Sequence, residues 1–389
     1  MYPNLYYVFK DLFGIELSAL KLINSFGFFV ALCFIISAWA LTLEFQRKQQ
    51  LGLLSFTEEK VMMGAPASLM DLLLNFILGF VFGYKIIGAF IIQDALNDPQ
   101  SFILSSKGNT ATGVLLGLFF LGLKWYEKNK EKLAKPEERT IRIWPQDRVG
   151  DLVIYAAAFG FLGAKIFHNL ENWNDFIKDP IGALISFSGL TFYGGLICAG
   201  AAIMIYSKRI KLPIVHLVDS FAPILMLGYS IGRIGCQISG DGDWGIVNLH
   251  PKPFSWLPDW LWAYQYPHNV VGEGVAIPGC VGQYCNQLAQ PVYPTALYEV
   301  IVCAILFIVL WSVRKKIKIP GRIFGLYLIL NGVERFSIES IRVNTKYEDL
   351  PLQPTQAQII SVILMLTGIW LFIQSKKWYL KSNTLSNKN

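Results

Sequence analysis

The sequence is poor in charge and in histidine. Of its 389 residues only 16% are Asp, Glu, Lys or Arg, and four are His. That is too little polar surface for a set of water-soluble domains. No His/Cys spacing of the zinc type occurs, so neither a metal nor any other cofactor is expected. Residues 1–15 lack a basic region followed by a short apolar core and a small-residue cleavage site, so no cleaved signal peptide is expected. The net charge is +7, but Lys and Arg gather in short loops between apolar runs. That clustering is a topology signal rather than a nucleic-acid footprint. Of six cysteines, Cys33, Cys198, Cys236 and Cys303 lie in or beside apolar runs and read as packing residues. Cys280 and Cys285 stand together in a long loop where a local disulfide is chemically reasonable.

What the chain has instead is apolar length: 53% hydrophobic residues and a mean hydropathy of +0.43. Nine apolar segments occur, at about 22–43, 69–92, 112–125, 151–170, 190–206, 213–232, 295–313, 323–342 and 357–373. Short ones must extend into their flanks to reach the ~20 residues a bilayer needs. Connections rich in Lys and Arg (Arg47-Lys48, 124–148, 208–211, 314–318, 376–377) alternate with poor ones (93–111, 171–189, 241–294, 343–356). The positive-inside rule then puts the N-terminus outside and the C-terminus inside. The expected fold is an all-α polytopic membrane protein of about nine transmembrane helices, one integral membrane domain over 1–389. Residues 246–292 form an outer loop rich in Trp, Pro and Tyr, and 376–389 a polar inner tail expected to be disordered.

Asp71–Ile86 and Asp151–Ile166 align without gaps, matching Asp71 with Asp151, Gly83 with Gly163 and Lys85 with Lys165. This reads as a duplicated two-helix unit, with about 50–130 the extra pair and 151–206 its counterpart. Chance similarity of apolar helices is the competing explanation, weakened by the matched intramembrane lysine.

The stretch Gly228–Gly245 runs from an apolar helix into Arg233, Asp241 and Asp243. Ionisable groups at the edge of hydrocarbon face a bundle interior or a water-filled cavity. In the segment after Arg322, residues Asn331, Arg335, Glu339 and Arg342 share one helix face. Arg335 lies ~20 Å and Arg342 ~30 Å along the axis, at the level that Lys85, Lys165 and Arg233 reach in their own helices. Cations and a carboxylate at one level suggest one polar pocket open to the outer leaflet. Two arginines beside an apolar cavity suit a phosphate head with acyl tails. Tyr293-Pro-Thr-Ala-Leu-Tyr-Glu299 either supplies Tyr298 and Glu299 to that pocket or serves as an interfacial anchor.

These motifs together resemble the bacterial phosphatidylglycerol–prolipoprotein diacylglyceryl transferases, over about 20–45 and most of 150–375. Gly232-Arg-Ile-Gly235 with Gly240-Asp241 and Trp244-Gly245 is similar to the family's signature around an essential arginine and an acid. Ser188-Gly-Leu-Thr-Phe-Tyr-Gly-Gly195 resembles its Ser-Phe-His-Gly-Gly stretch, Tyr293–Glu299 its His-Pro-Ser-Gln-Leu-Tyr-Glu, and Gly332–Arg342 the segment of its second arginine. Gln358-Ile-Ile-Ser361 is similar to its Gly-Gln-Ile-Leu-Ser. The resemblance implies transfer of the diacylglyceryl group of phosphatidylglycerol to the lipobox cysteine of preprolipoproteins, releasing glycerol 1-phosphate. It implies a bacterial plasma (inner) membrane location, membrane lipids as surroundings, a site facing the outer leaflet, and a seven-span core to which the extra pair is added. Carried over residue by residue, the catalytic set is Arg233, Arg335, Asp241, Glu339 and Tyr193. The substrate-binding set is Arg233, Gly235, Cys236, Ser239, Gly245, Lys165, Tyr298, Glu299 and Arg342. Departures are Cys236 and Ser239 for Asn, Asp241 for Glu, Tyr193 for His and Phe26 for Tyr. A phenol of pKa about 10 is a poor base at neutral pH, and His168 is a substitute candidate. A transporter or flippase for an anionic lipid, and an inactive lipid-binding paralogue, are the competing functions.

Overall fold

The computed structural model describes residues 1–92, 95–186, 189, 191–348 and 351–386. Ser188 and Leu190 of the Ser188–Gly195 motif and the last three residues of the tail lie outside the described residues. Among the described residues, nine helices of fourteen or more residues occur: α1 (Ser25–Gln50), α2 (Leu69–Phe82), α3 (Thr110–Lys130), α4 (Val149–Glu171), α5 (Phe192–Arg209), α6 (Ile214–Ser239), α7 (Thr295–Val313), α8 (Arg322–Glu339) and α9 (Gln356–Ser386). Each coincides with one of the apolar segments read from the sequence. Among the described residues six are long and apolar enough to cross a membrane: α1, α2 with its extension to Phe90, α4 with the preceding turn from Pro145, α6, α7 and α9.

Two features depart from the all-α expectation. Thr57–Met63 (β1) pairs antiparallel with Glu137–Ile143 (β2), and Val275–Ala276 (β3) with Asn286–Gln287 (β4). The first pair combines Thr, Val and Ile with Glu, Lys and Arg and is largely exposed, as a solvated ribbon is. The tail also differs, because α9 continues to Ser386. No Gly or Pro follows Gly368 to stop it.

The chain divides into two compact units. The first comprises Met1–Val8, Asn24–Leu54 and residues from Ser207 onward. In it α6 packs on α1 and α7, and α8 on α9. Met226, Cys303 and Leu310 form a fully buried centre flanked by Tyr327 and Leu330. Below this apolar layer, Glu44 is buried against Arg47 and against Arg314, whose Nε lies 2.9 Å away. Asp219 accepts from the N–H groups of Gly321 (2.7 Å) and Phe324 (2.9 Å), closing the start of α8. Glu299 and Arg314 on α7 are about 22 Å apart at 1.5 Å per residue, so the two charged layers are separated by most of a hydrocarbon thickness.

The second unit is Phe9–Ile23 with Ser55–Tyr206. Within it, residues 64–136 start and finish at neighbouring ends of the β1–β2 ribbon, where Met63 pairs with Glu137. Between α2 and α3 a short helix, Pro99–Leu104, is capped by Asp98. Between α4 and α5 another, Pro180–Ile185, is capped by Asp179. Lys85 donates to the carbonyls of Phe102 (3.2 Å), Ser105 and Lys107 (2.7 Å), and Lys165 to the carbonyl and hydroxyl of Ser186, both at 2.8 Å. The two hairpins thus share an Asp-Pro cap and a lysine that satisfies carbonyls at the far end of the short helix.

Candidate active site

Arginine cannot shed its charge, so a buried guanidinium has to be met by carboxylates or by ligand. In the first unit, Arg233 of α6, Arg335 of α8 and Arg342 just beyond α8 meet one acid on α7. Glu299 is fully buried. It forms an ion pair with Arg233 Nε at 2.9 Å and accepts from Arg335 Nη1 at 3.0 Å, Arg342 Nη1 at 3.4 Å and the Tyr229 hydroxyl at 2.7 Å. Asp243 forms a second node, bonded by Arg233 Nη1 through one oxygen and Arg342 Nη2 through the other. Glu339, also buried, lies 3.0 Å from Arg335 Nη2 and accepts from Asn344. Three guanidinium groups are thereby balanced by three carboxylates, and Arg233 lies over the Tyr229 ring at 5.3 Å.

The loop that carries Asp243 is set by backbone constraints. α6 ends at Gly240, whose φ of +65° no L side chain adopts without strain. Gly245 then donates its N–H to the Tyr293 carbonyl (2.8 Å), and Ile246 donates to Ile341 (2.9 Å). A Cβ at Gly245 would meet the Ile341 carbonyl at 2.5 Å, so only glycine permits this approach. Thr295 holds the Asp243 carbonyl at 2.8 Å. The start of α7 and the end of α8 are therefore laced to the Asp243 loop.

The two aspartates differ. Burial and the neighbouring Asp243 push the Asp241 carboxyl above its ordinary range. Burial acts on Asp243 in the same direction, but Arg233 and Arg342 overcome it and hold that carboxyl low. Ligand atoms of Cys236, Asp241 and Asp243 come within 4.8 Å of one another. With two guanidinium groups already on Asp243, this is a poor place for a divalent cation.

Of the residues singled out from sequence, Arg233, Arg335, Glu339, Arg342 and Glu299 come together in one network. Among the described residues Asp241 makes no arginine ion pair; its carboxylate faces Cys236 and the Asp243 N–H. Ser239 is buried, with its hydroxyl donating to the Gly235 carbonyl at 2.8 Å, and Gly235 abuts Phe26 and Phe29 of α1. Tyr298 donates to the Leu261 carbonyl at 2.9 Å. Lys165 and Tyr193 belong to the second unit. Lys165 binds Ser186 there, Tyr193 opens α5 beside Phe192, and His168 contacts Asn172 near the end of α4. The sequence reading missed Asp243 as a partner of two arginines, and Tyr229. Tyr229 was findable four residues before Arg233, on the same face. The Cys280–Cys285 disulfide is formed, with Cα atoms 5.6 Å apart.

Fold and site define a multi-pass helical membrane protein with an arginine-rich buried site suited to an oxyanion. Its kinship is more specific. Residues 110–374 match the prolipoprotein diacylglyceryl transferase family, and the chain belongs to that family. Similar proteins include the phosphatidylglycerol–prolipoprotein diacylglyceryl transferase of Dehalococcoides mccartyi, 30% identical over 282 residues, 71% of this chain and 93% of that protein. Those of Chlorobaculum tepidum (29% over 247 residues, 59% and 74%) and Xylella fastidiosa (30% over 239 residues, 58% and 77%) are similar too.

Proposed function

We propose that the chain moves the diacylglyceryl group of phosphatidylglycerol onto the thiol of a lipobox cysteine in a preprolipoprotein, releasing glycerol 1-phosphate. The observation that carries this is the convergence of Arg233, Arg335 and Arg342 on Glu299. A phosphate headgroup entering there exchanges carboxylate contacts for its own oxygens, and the arginines need no reorganisation to receive charge. When thiolate sulfur bonds to the glyceryl CH₂, the C–O bond to phosphate breaks and the electron pair stays on the phosphate oxygen. Arg233 and Arg335 stabilise that charge in a low-dielectric site. Glu299 and Glu339 hold the guanidinium planes in place, while Asp241 serves the headgroup or the thiol.

In this reading the chain spans a bacterial plasma membrane nine times, N-terminus outside, with the site toward the outer leaflet. The α2–α3 pair is an insertion duplicated from the α4–α5 pair, a reading supported by the shared Asp-Pro caps and carbonyl-binding lysines. The test is to incubate the protein in phosphatidylglycerol vesicles with a lipobox peptide and weigh the peptide. A diacylglyceryl adduct with the native chain, and none with an inserted and stable Arg233→Ala variant, is expected. An unmodified peptide with the native chain, under conditions where a relative modifies it, turns the site into one for lipid binding or movement.

A further inference from the structure

One buried acid beside the arginine network has no partner. Glu334 on α8 is 6% exposed, and neither carboxylate oxygen has a hydrogen-bond partner among the described residues. Asp243 and Glu299 are each bound by arginines, and Glu339 by Asn344 with Arg335 alongside. Glu334 instead lines a cavity of about 310 Å³ between α7 and α8, whose walls include Tyr298, Val302, Leu306, Leu330 and Val333. Tyr298, Val302 and Leu306 are successive turns of α7, so the cavity extends about 12 Å down the helix. Among its lining residues, Tyr298 and Glu334 are chain neighbours of Glu299 and Arg335, and the cavity therefore adjoins the network.

An unpartnered carboxylate in an apolar wall is costly and does nothing for the fold. The groups that act on it electrostatically are Arg233 and Tyr229 of α6, Glu299 and Cys303 of α7, Tyr327 and Arg335 of its own helix, and Arg342 beyond it. Protonating Glu334 removes a like charge next to Glu299 at the moment when the arginines must take up the charge of a departing phosphate. The transfer reaction needs a group to receive the thiol proton, because the thiolate is the competent nucleophile.

We propose that Glu334 is the proton acceptor for the attacking thiol, which it meets in the α7–α8 cavity. This rests on the transferase reading above. The S–H proton passes to a Glu334 oxygen as the C–S bond forms and the glyceryl C–O bond breaks. The phosphate leaves with the electron pair, and Glu334 then returns its proton to the released phosphate monoester or to water.

The experiment compares native protein, Glu334→Gln and Glu334→Asp in phosphatidylglycerol vesicles with a lipobox peptide from pH 6 to 9. The Gln variant should lose on the order of a hundredfold in kcat with little change in KM. The deficit should shrink toward pH 9, where a free thiol of pKa about 8.5 ionises unaided. The Asp variant, which keeps a carboxylate, should be slower but retain the native pH profile. A Gln variant as active as the native chain overturns the proposal, as does a deficit that stays constant with pH or an Asp variant that behaves like Gln. An inactive native chain removes the transferase reading itself, and this inference with it, whereas the other failures leave that reading standing.

Discussion

Glu299→Gln is the sharpest perturbation of the site, because it changes one charge and almost no volume. The native carboxylate has four partners, two at each oxygen: Tyr229 and Arg335 at one, Arg233 (as an ion pair) and Arg342 at the other. The amide oxygen of glutamine can keep the first pair. Its NH₂ then faces Arg233 and Arg342, donors against donors. Removing one partner of a buried ion pair costs about 3–5 kcal/mol. Because half the contacts survive and Asp243 still serves both displaced arginines, the lower end, about 3 kcal/mol, is expected. That corresponds to a fall in unfolding temperature on the order of 5 °C. The variant also carries one uncompensated positive charge in the network. Inorganic phosphate should therefore raise its unfolding temperature more than that of the native chain. Thermal unfolding in detergent, with and without phosphate, measures both effects. An unchanged unfolding temperature together with an equal phosphate response in the two proteins would refute the assignment of Glu299 as the hub.

The two loop aspartates should respond to acid with opposite signs. Asp243 has a lowered carboxyl pKa, so its stabilising contribution is present above about pH 4 and is lost as pH falls through the folded value. Asp243→Asn should therefore destabilise at pH 7 and lose its effect in strong acid. Asp241 has a raised pKa, so its charged form opposes folding at neutral pH. Asp241→Asn should raise the unfolding temperature at pH 7, with the gain vanishing below about pH 4; the same sign for both variants would contradict the separation drawn between them. Excision of residues 64–136, with Asn-Gly joining Met63 to Glu137, should leave peptide modification within a few-fold of native. Those two residues already face each other across the ribbon, and a two-residue turn fits that register. Loss of modification in a variant that still inserts would make the extra hairpin part of the machinery.

The long helices were legible because apolar length and loop charge are local properties. Arg335, Glu339 and Arg342 were legible for a similar reason, since helix periodicity alone puts them on one face, and the structure gathers all three. What periodicity does not carry is which of two aspartates separated by one glycine turns inward. That choice depends on the left-handed turn at Gly240 and on pairing of Gly245 with Arg342, a contact across about a hundred residues of chain. Glu299 was read as a possible rim residue for the same kind of reason. Its central role appears only once α6 and α8 deliver their arginines from either side. The β1–β2 ribbon went unseen because its strands are far apart in the chain and no tight turn links them.

Glu334 shows the limit most clearly. By sequence it is one more charged residue beside Arg335, and spacing would pair it with nothing in particular. Its distinction is negative: three neighbouring acids have partners, whereas its two buried oxygens have no hydrogen-bond partner among the described residues and the residue lines an apolar cavity. A carboxylate whose bonds are all made can orient a guanidinium but has little capacity left to take a proton. An unbonded one has that capacity in full. The arrangement thus divides the acids of this site by what they are already holding, with Glu299 and Asp243 committed to the arginines, Glu339 to Asn344 and an ion pair with Arg335, and Glu334 left open to chemistry.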